Sequence, residues 1–169
     1  MPGEESRSGR GDNGPVEVRV EIPRGSRNKY EYDESVGTIR LDRVLYSSMH
    51  YPADYGYIPG SCAPDGDPLD VLVLVEEPTV PGCLVRARPI GLLRMSDEKG
   101  EDDKILAVLS DDPRFEEVAD IGQLARHWLR EIENFFRTYK LLEGIETEVF
   151  SWEGSRSAQE LIRRSCPGR

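Results

Sequence analysis

Three carboxylates fall within six residues at Asp65-Gly66-Asp67-Pro68-Leu69-Asp70, directly ahead of an apolar run at 71–75. Hard divalent cations such as Mg²⁺ take oxygen ligands and keep positions for water and substrate phosphate, so this is the side-chain chemistry such an ion requires. Gly66 permits an unusual backbone turn and Pro68 stiffens it, which holds the charges together although they repel. A second acidic group, Asp97, Glu98, Glu101, Asp102 and Asp103, precedes Lys104 at a turn between two strand-like segments. If both turns open at one end of a sheet, they make a single cup for several metal ions, the arrangement that phosphoryl chemistry uses. Against this stands the ordinary preference of Asp and Gly for turns. A calcium loop of the EF-hand kind does not fit, because Pro68 interrupts the ligand spacing and no helix pair flanks it.

Cationic and phenolic side chains lie near these loops in the chain. Lys29, Arg43 and Lys104 sit at or beside strand-like segments, and Tyr51, Tyr55, Tyr57, Tyr139 and Lys140 add further donors. Lys, Arg and Tyr groups bind phosphate oxygens. Each alone reads more readily as a solvated charge or a packed aromatic. Tyr139 in particular continues the apolar stripe of a helix.

The elements that must position these groups are legible from periodicity. VEVRVEI at 16–22 alternates in the manner of a half-buried strand, and NKYEY and GTIRLDRV follow as two strands around a turn at Asp33–Gly37. YPADYGYIPG at 51–60 is an ordered loop with a short strand. LDVLVLVEE is apolar enough to be covered on both faces. CLVRARPIGLLRM is a long strand that Pro89 either bends or enters where no ladder bond is needed, and KILAVL a shorter one. Steps of three and four through Ile121, Leu124, Trp128, Ile132, Phe135, Tyr139 and Leu142 predict one amphipathic helix, capped by Asp120 and ended by Gly144. TEVFSW is a last strand, and Ser157 with Glu160 a capping box before a final short helix. Strands first and helices late imply an α+β domain, mainly β: an antiparallel barrel or sandwich with helices outside. Residues 1–15 read as a flexible tail and 16–169 as a single domain.

The chain has 169 residues and a formal charge of −10, from 22 basic and 32 acidic side chains. That length allows a real core. The charge argues against a nucleic-acid or anionic-membrane partner but leaves room for a small anion met by local cations or metal. No segment is apolar enough to span a bilayer, and 1–15 lacks the apolar stretch of a signal peptide, so a cytoplasmic location is expected. Cys62, Cys83 and Cys166 are too few and scattered for a disulfide framework or zinc site.

Taken together, these residues resemble the soluble inorganic pyrophosphatases of family I. DGDPLDV at 65–71 matches that family's signature loop at every position, and VEIP with KYEY at 20–32, LDR at 41–43, YPADYGYIP at 51–59, VRARPIGLLRMSDEKGEDDKILAV at 85–108 and FFRTYK at 135–140 follow in the family's order. The resemblance covers about residues 16–152. It implies a five-stranded OB-like β-barrel with flanking C-terminal helices, and hydrolysis of inorganic pyrophosphate by a water shared between Mg²⁺ ions, with Mn²⁺ or Zn²⁺ as substitutes. Asp65, Asp70 and Asp102 would hold the tightest metal, Asp70 also bridging to a second. Asp97 with Asp102 would hold one arriving with substrate, and Glu21 and Glu31 would act partly through water. Asp67 would be the general base, and Lys29, Arg43, Tyr55, Lys104, Tyr139 and Lys140 the pyrophosphate-binding set. A homohexamer is implied. One departure is plain: 143–153 contains none of the lysines that follow the Tyr-Lys pair in bacterial relatives, and Glu146 and Glu148 appear instead. Three rival readings remain at this point: another metal-dependent phosphohydrolase, an OB-like binding module for single-stranded nucleic acid, and an inactive family member with a scaffolding role.

Overall fold

The structure is a computed structural model describing residues 14–166; all but the last two residues of the expected N-terminal tail lie outside that range. Strand β1, Val16–Ile22, keeps its alternation, with Val16, Val18, Val20 and Ile22 buried. Strands β2 (Asn28–Asp33) and β3 (Thr38–Val44) form a separate two-stranded hairpin. The remaining strands are β4 (Asp54–Tyr57), β5 (Asp70–Leu74), β6 (Leu84–Asp97), β7 (Gly100–Glu101), β8 (Lys104–Leu109) and β9 (Glu148–Gly154).

Five of these strands close a ring. The order β1-β4-β5-β8-β6 returns to its start because β6 also pairs with β1, Val85 opposite Val18. This is the five-stranded barrel expected, with β9 added along the outer part of β6 and β7 extending its tip. The barrel is not wholly antiparallel: β5 and β8 run parallel, Val71 opposite Ile105. Strand β6 serves four partners, β1, β7, β8 and β9, along its 14 residues. Its register against β8 shifts between Pro89 and Gly91, at the proline that cannot donate a ladder bond. Gly56 lets β4 approach β1, since a Cβ there would fall 1.9 Å from the Arg19 carbonyl oxygen.

Strands β5 and β8, and the middle of β6 from Ile90 to Leu93, are buried on both faces. Val71, Val73, Leu92, Ile105 and Ala107 pack with Ala158, Leu161 and Ile162 of helix α2, Ser155–Ser165. Leu72, Leu74, Leu93, Leu106 and Val108 pack with Ile132, Phe135 and Phe136 of helix α1, Arg126–Thr138. Two apolar faces explain the unbroken hydrophobic runs.

Both helices differ from their expected limits. The apolar stripe from Ile121 to Leu142 is one helix only over 126–138. Asp120 and Gln123 make a reciprocal capping box around a 3-10 turn, Ile121–Gln123, and Leu124 and Ala125 then adopt extended backbone. A second 3-10 turn, Leu141–Glu143, follows and is closed by Gly144 at φ +75°. Helix α2 begins at Ser155 rather than at the Ser157–Glu160 pattern. The Ser155 N–H donates to Asp120 Oδ1 at 2.7 Å, so the cap comes from a residue 35 positions earlier. Glu160 pairs instead with Arg156. Among the described residues no helix is long and apolar enough to cross a membrane.

Candidate active site

The parallel pairing of β5 with β8 brings the two acidic turns together. With Val71 opposite Ile105, the preceding residues Asp70 and Lys104 emerge side by side at one mouth of the barrel. The Lys104 ammonium donates to Asp70 Oδ2 at 2.7 Å and to Asp102 Oδ1 at 2.8 Å. Its side chain is only 2% exposed, so this ion pair is desolvated and directional rather than a solvated surface contact.

The loop bearing Asp65, Asp67 and Asp70 is held at its base. Ser61 Oγ donates to the Ile58 carbonyl at 2.6 Å and accepts from the Leu69 N–H at 2.8 Å. The Cys62 N–H reaches the Ser165 carbonyl of α2, and the Ala63 N–H reaches that of Asp67. At the tip Gly66 adopts φ +88°, a left-handed conformation suited to glycine. The Asp67 N–H donates to Asp65 Oδ1 at 3.0 Å, leaving both exposed carboxylates toward the cleft.

The β6–β8 connection divides its acids between two tasks. Asp97 lies 3.7 Å from Lys140 Nζ, and Asp102 faces Lys104. Asp103 turns the other way and accepts from Arg94 and from the Met95 N–H. The β2–β3 hairpin supplies the opposite wall, where Lys29 and Arg43 are register partners. Lys29 Nζ contacts Asp42 at 3.0 Å and Glu31 at 3.3 Å. Glu21 of β1 accepts from the Tyr32 N–H at 2.8 Å.

Every residue expected from the sequence lines one cavity of about 540 Å³: Asp65, Asp67, Asp70, Asp97 and Asp102, Glu21 and Glu31, Lys29, Arg43, Lys104 and Lys140, Tyr55 and Tyr139. The same cavity is lined by Tyr51 and Glu98, which stood among the candidate donors and acids without a place in the family's set, and by Lys99, which the sequence reading passed over. Glu98 and Lys99 could be found by their place beside Asp97. Two further groups, Asp42 and Glu143, hold Arg43 at 3.0 and 2.6 Å. Asp42 adjoins Arg43 in LDR, whereas no local signal marks Glu143, which is 100 residues away.

The electrostatics of the cleft are those of crowded charge in a partly dry site. Burial, aided by the Asp70 and Glu31 carboxylates, pushes Glu21 up to about 7 against the opposing Tyr32 N–H and Lys29. Asp102 is also raised, first by burial and then by Asp70 and Asp97, in spite of Lys104. Burial alone would lower Lys104; Asp70, Tyr55 and Asp102 outweigh it and keep the ammonium charged. Burial raises the phenols of Tyr51, Tyr55 and Tyr139, which therefore stay protonated as hydrogen-bond donors. Tyr139 serves two purposes: it stacks on Phe135 at 5.0 Å between ring centroids, as its place in the apolar stripe implied, and it lines the cleft.

Could these residues hold divalent cations? The donor set is entirely carboxylate oxygen, which suits Mg²⁺ or Mn²⁺. Glu21 and Asp102 are raised chiefly by burial and in smaller part by neighbouring carboxylates, and a cation between such groups would offset both effects. Among the described residues no three acidic, His or Cys side chains already enclose an ion, and Lys104 takes up the Asp70 and Asp102 oxygens. The chemistry of the donors fits the group, and Lys104 engages one oxygen of each carboxylate, Asp70 Oδ2 and Asp102 Oδ1.

Comparison with known proteins identifies the family. The family model described as inorganic pyrophosphatase matches residues 18–167. The inorganic pyrophosphatase of Halalkalibacterium halodurans is 53% identical over 147 residues, 87% of this chain and 90% of that protein. That of Methanosarcina acetivorans is 51% identical over 148 residues, 88% of each. The crystal structure of inorganic pyrophosphatase from Thermus thermophilus superposes with a TM-score of 0.88 at 44% identity, covering 95% of this chain and 94% of that one. The chain belongs to the inorganic pyrophosphatase family.

Proposed function

We propose that this protein hydrolyses inorganic pyrophosphate to two phosphates. The observation that carries the reading is the meeting of two acidic turns and four cations, Lys29, Arg43, Lys104 and Lys140, around one cleft. Asp65, Asp70, Asp97 and Asp102 would hold Mg²⁺, with Mn²⁺ or Zn²⁺ as substitutes, and Glu21 and Glu31 would stand outside them. Bound cations would supply neutralisation of the phosphate oxygens and acidification of a water.

The chain's own groups supply the rest. Asp67 is exposed at the loop tip and makes no ion pair among the described residues, so its carboxylate is available to take the proton of the attacking water. Lys29, Arg43 and Lys140 bind the phosphoryl oxygens and offset the charge that grows on the departing phosphate. Tyr55 and Tyr139 donate neutral hydrogen bonds from a rigid aromatic floor. Lys104, buried beneath Asp70 and Asp102, fixes those carboxylates until the cleft fills.

Residues 16–169 act as one catalytic domain in this reading. A homohexamer in the cytoplasm follows from the same family reading, and exposed apolar side chains such as Tyr46, Leu142 and Phe150 offer surface for contacts between copies. The deciding experiment measures phosphate release from pyrophosphate, ATP and a phosphomonoester with Mg²⁺, then with a chelator. Release from pyrophosphate that stops on chelation supports the proposal. Preference for ATP or the monoester would replace it with a different phosphohydrolase.

A further inference from the structure

Arg43 is held from two sides by acceptors of unequal character. Its Nε donates to Asp42 Oδ2 at 3.0 Å, beside it in the same strand. Its Nη1 donates to Glu143 Oε1 at 2.6 Å, across 100 residues of chain. The Glu143 side chain is 8% exposed, against 27% for Asp42 and 38% for Arg43. A carboxylate so covered makes the stronger, better-directed contact.

The backbone beneath Glu143 is fixed. Its own N–H donates to the Lys140 carbonyl at 3.0 Å, the Gly144 N–H to that of Leu141 and the Ile145 N–H again to Lys140. Glu143 therefore moves with the end of α1 that carries Tyr139 and Lys140. Arg43 belongs to the β2–β3 hairpin, which forms its own small sheet apart from the barrel. The ion pair ties this detached wall of the cleft to the opposite one. A guanidinium has five N–H groups in one plane. Two are engaged by Asp42 and Glu143, and the orientation of the other three is thereby set.

We propose that Glu143 is a positioning residue for Arg43: it orients the guanidinium toward the phosphoryl oxygens and holds the β2–β3 hairpin against the end of α1. The proposal rests on the reading of Arg43 as a pyrophosphate-binding residue. It also gives the lysine-free stretch from 143 onward a role, because that segment supports substrate binding through a carboxylate acting on an arginine.

The test is steady-state phosphate release from pyrophosphate with Mg²⁺ for the parent, Glu143→Ala, Glu143→Gln, Arg43→Lys and the double variant Glu143→Ala/Arg43→Lys, with KM and kcat separated and folding checked by thermal melts. Losing the charge-assisted bond should raise KM about tenfold in Glu143→Ala with a smaller change in kcat. Glu143→Gln keeps the shape and one acceptor and should show a smaller rise in KM. In the Arg43→Lys background, Glu143→Ala should add almost nothing, because an ammonium has no planar fork to orient. An unchanged KM in a folded Glu143→Ala, or the same fold-change in both backgrounds, overturns the proposal. Should Glu143→Ala fail to fold, the KM of Glu143→Gln decides alone. An Arg43→Lys variant with parental KM would instead refute the assignment of Arg43 itself.

Discussion

Lys104 and Asp70 meet at 2.7 Å across the parallel pair β5–β8, with the ammonium 2% exposed and a second carboxylate, Asp102, at 2.8 Å. Removing the cation leaves two carboxylates facing each other in a partly desolvated site. Lys104→Met should therefore lower the stability of the metal-free protein by about 3–5 kcal/mol, the cost of breaking a buried pair from one side. Urea unfolding in the presence of a chelator measures it. A midpoint within error of the parent would show that the pair contributes nothing to the fold.

Asp67 carries the chemistry proposed for the loop tip. Asp67→Asn preserves its volume, its backbone bond to Asp65 and its fold. Its rate should fall by roughly 10²–10⁴, the usual contribution of a positioned base. Calorimetric titration with Mg²⁺ should show little change. Full activity in the variant would remove Asp67 from the mechanism.

Glu21 makes the metal-free protein sensitive to pH. Its carboxyl is raised to about 7 in the fold from an ordinary value of 4.5, chiefly by burial. Between those values the folded state holds a proton that the unfolded chain has released, so stability falls as pH rises through the window. Glu21→Gln should flatten the dependence of the unfolding midpoint between about pH 5 and 7. An identical slope in the variant would point to other groups.

Asp120 has the opposite sign. Hydrogen bonds from the Ser155 N–H lead the causes that hold it below its ordinary value, with the Gly122 N–H adding to them. Its contribution is present above the unfolded value and is lost as pH falls below it. Asp120→Ala should cost about 1 kcal/mol at neutral pH, as for loss of a helix cap, and less in acid. Chemical denaturation at the two pH values tests both parts.

Much of the fold was legible because most strands announce themselves locally. VEVRVEI, LDVLVLV and KILAVL show by period or by continuous apolarity whether one or both faces are covered, and the acidic turns mark the mouth they share. What periodicity could not convey is long-range pairing. Nothing in 121–142 reveals that Leu124 and Ala125 leave the helix, because the apolar spacing suits a 3-10 turn followed by a shorter helix as well as one long helix. The cap of α2 comes from Asp120, across 35 residues, and so lay hidden behind a more obvious Ser157–Glu160 pattern. The site shows the same division. Asp65, Asp67 and Asp70 stand in one short segment, whereas the partnership of Arg43 with Glu143 exists only once the hairpin is docked.

The common starting edge of β5 and β8 has a practical corollary. Both strands leave the cleft and finish at the far mouth, where the connections 75–83 and 110–119 supply no lining to the cavity. Glu116 and Glu117 are exposed there. A fluorophore or peptide epitope grafted at those two positions would label the enzyme on the side away from its chemistry, giving a handle for following assembly while turnover is recorded undisturbed.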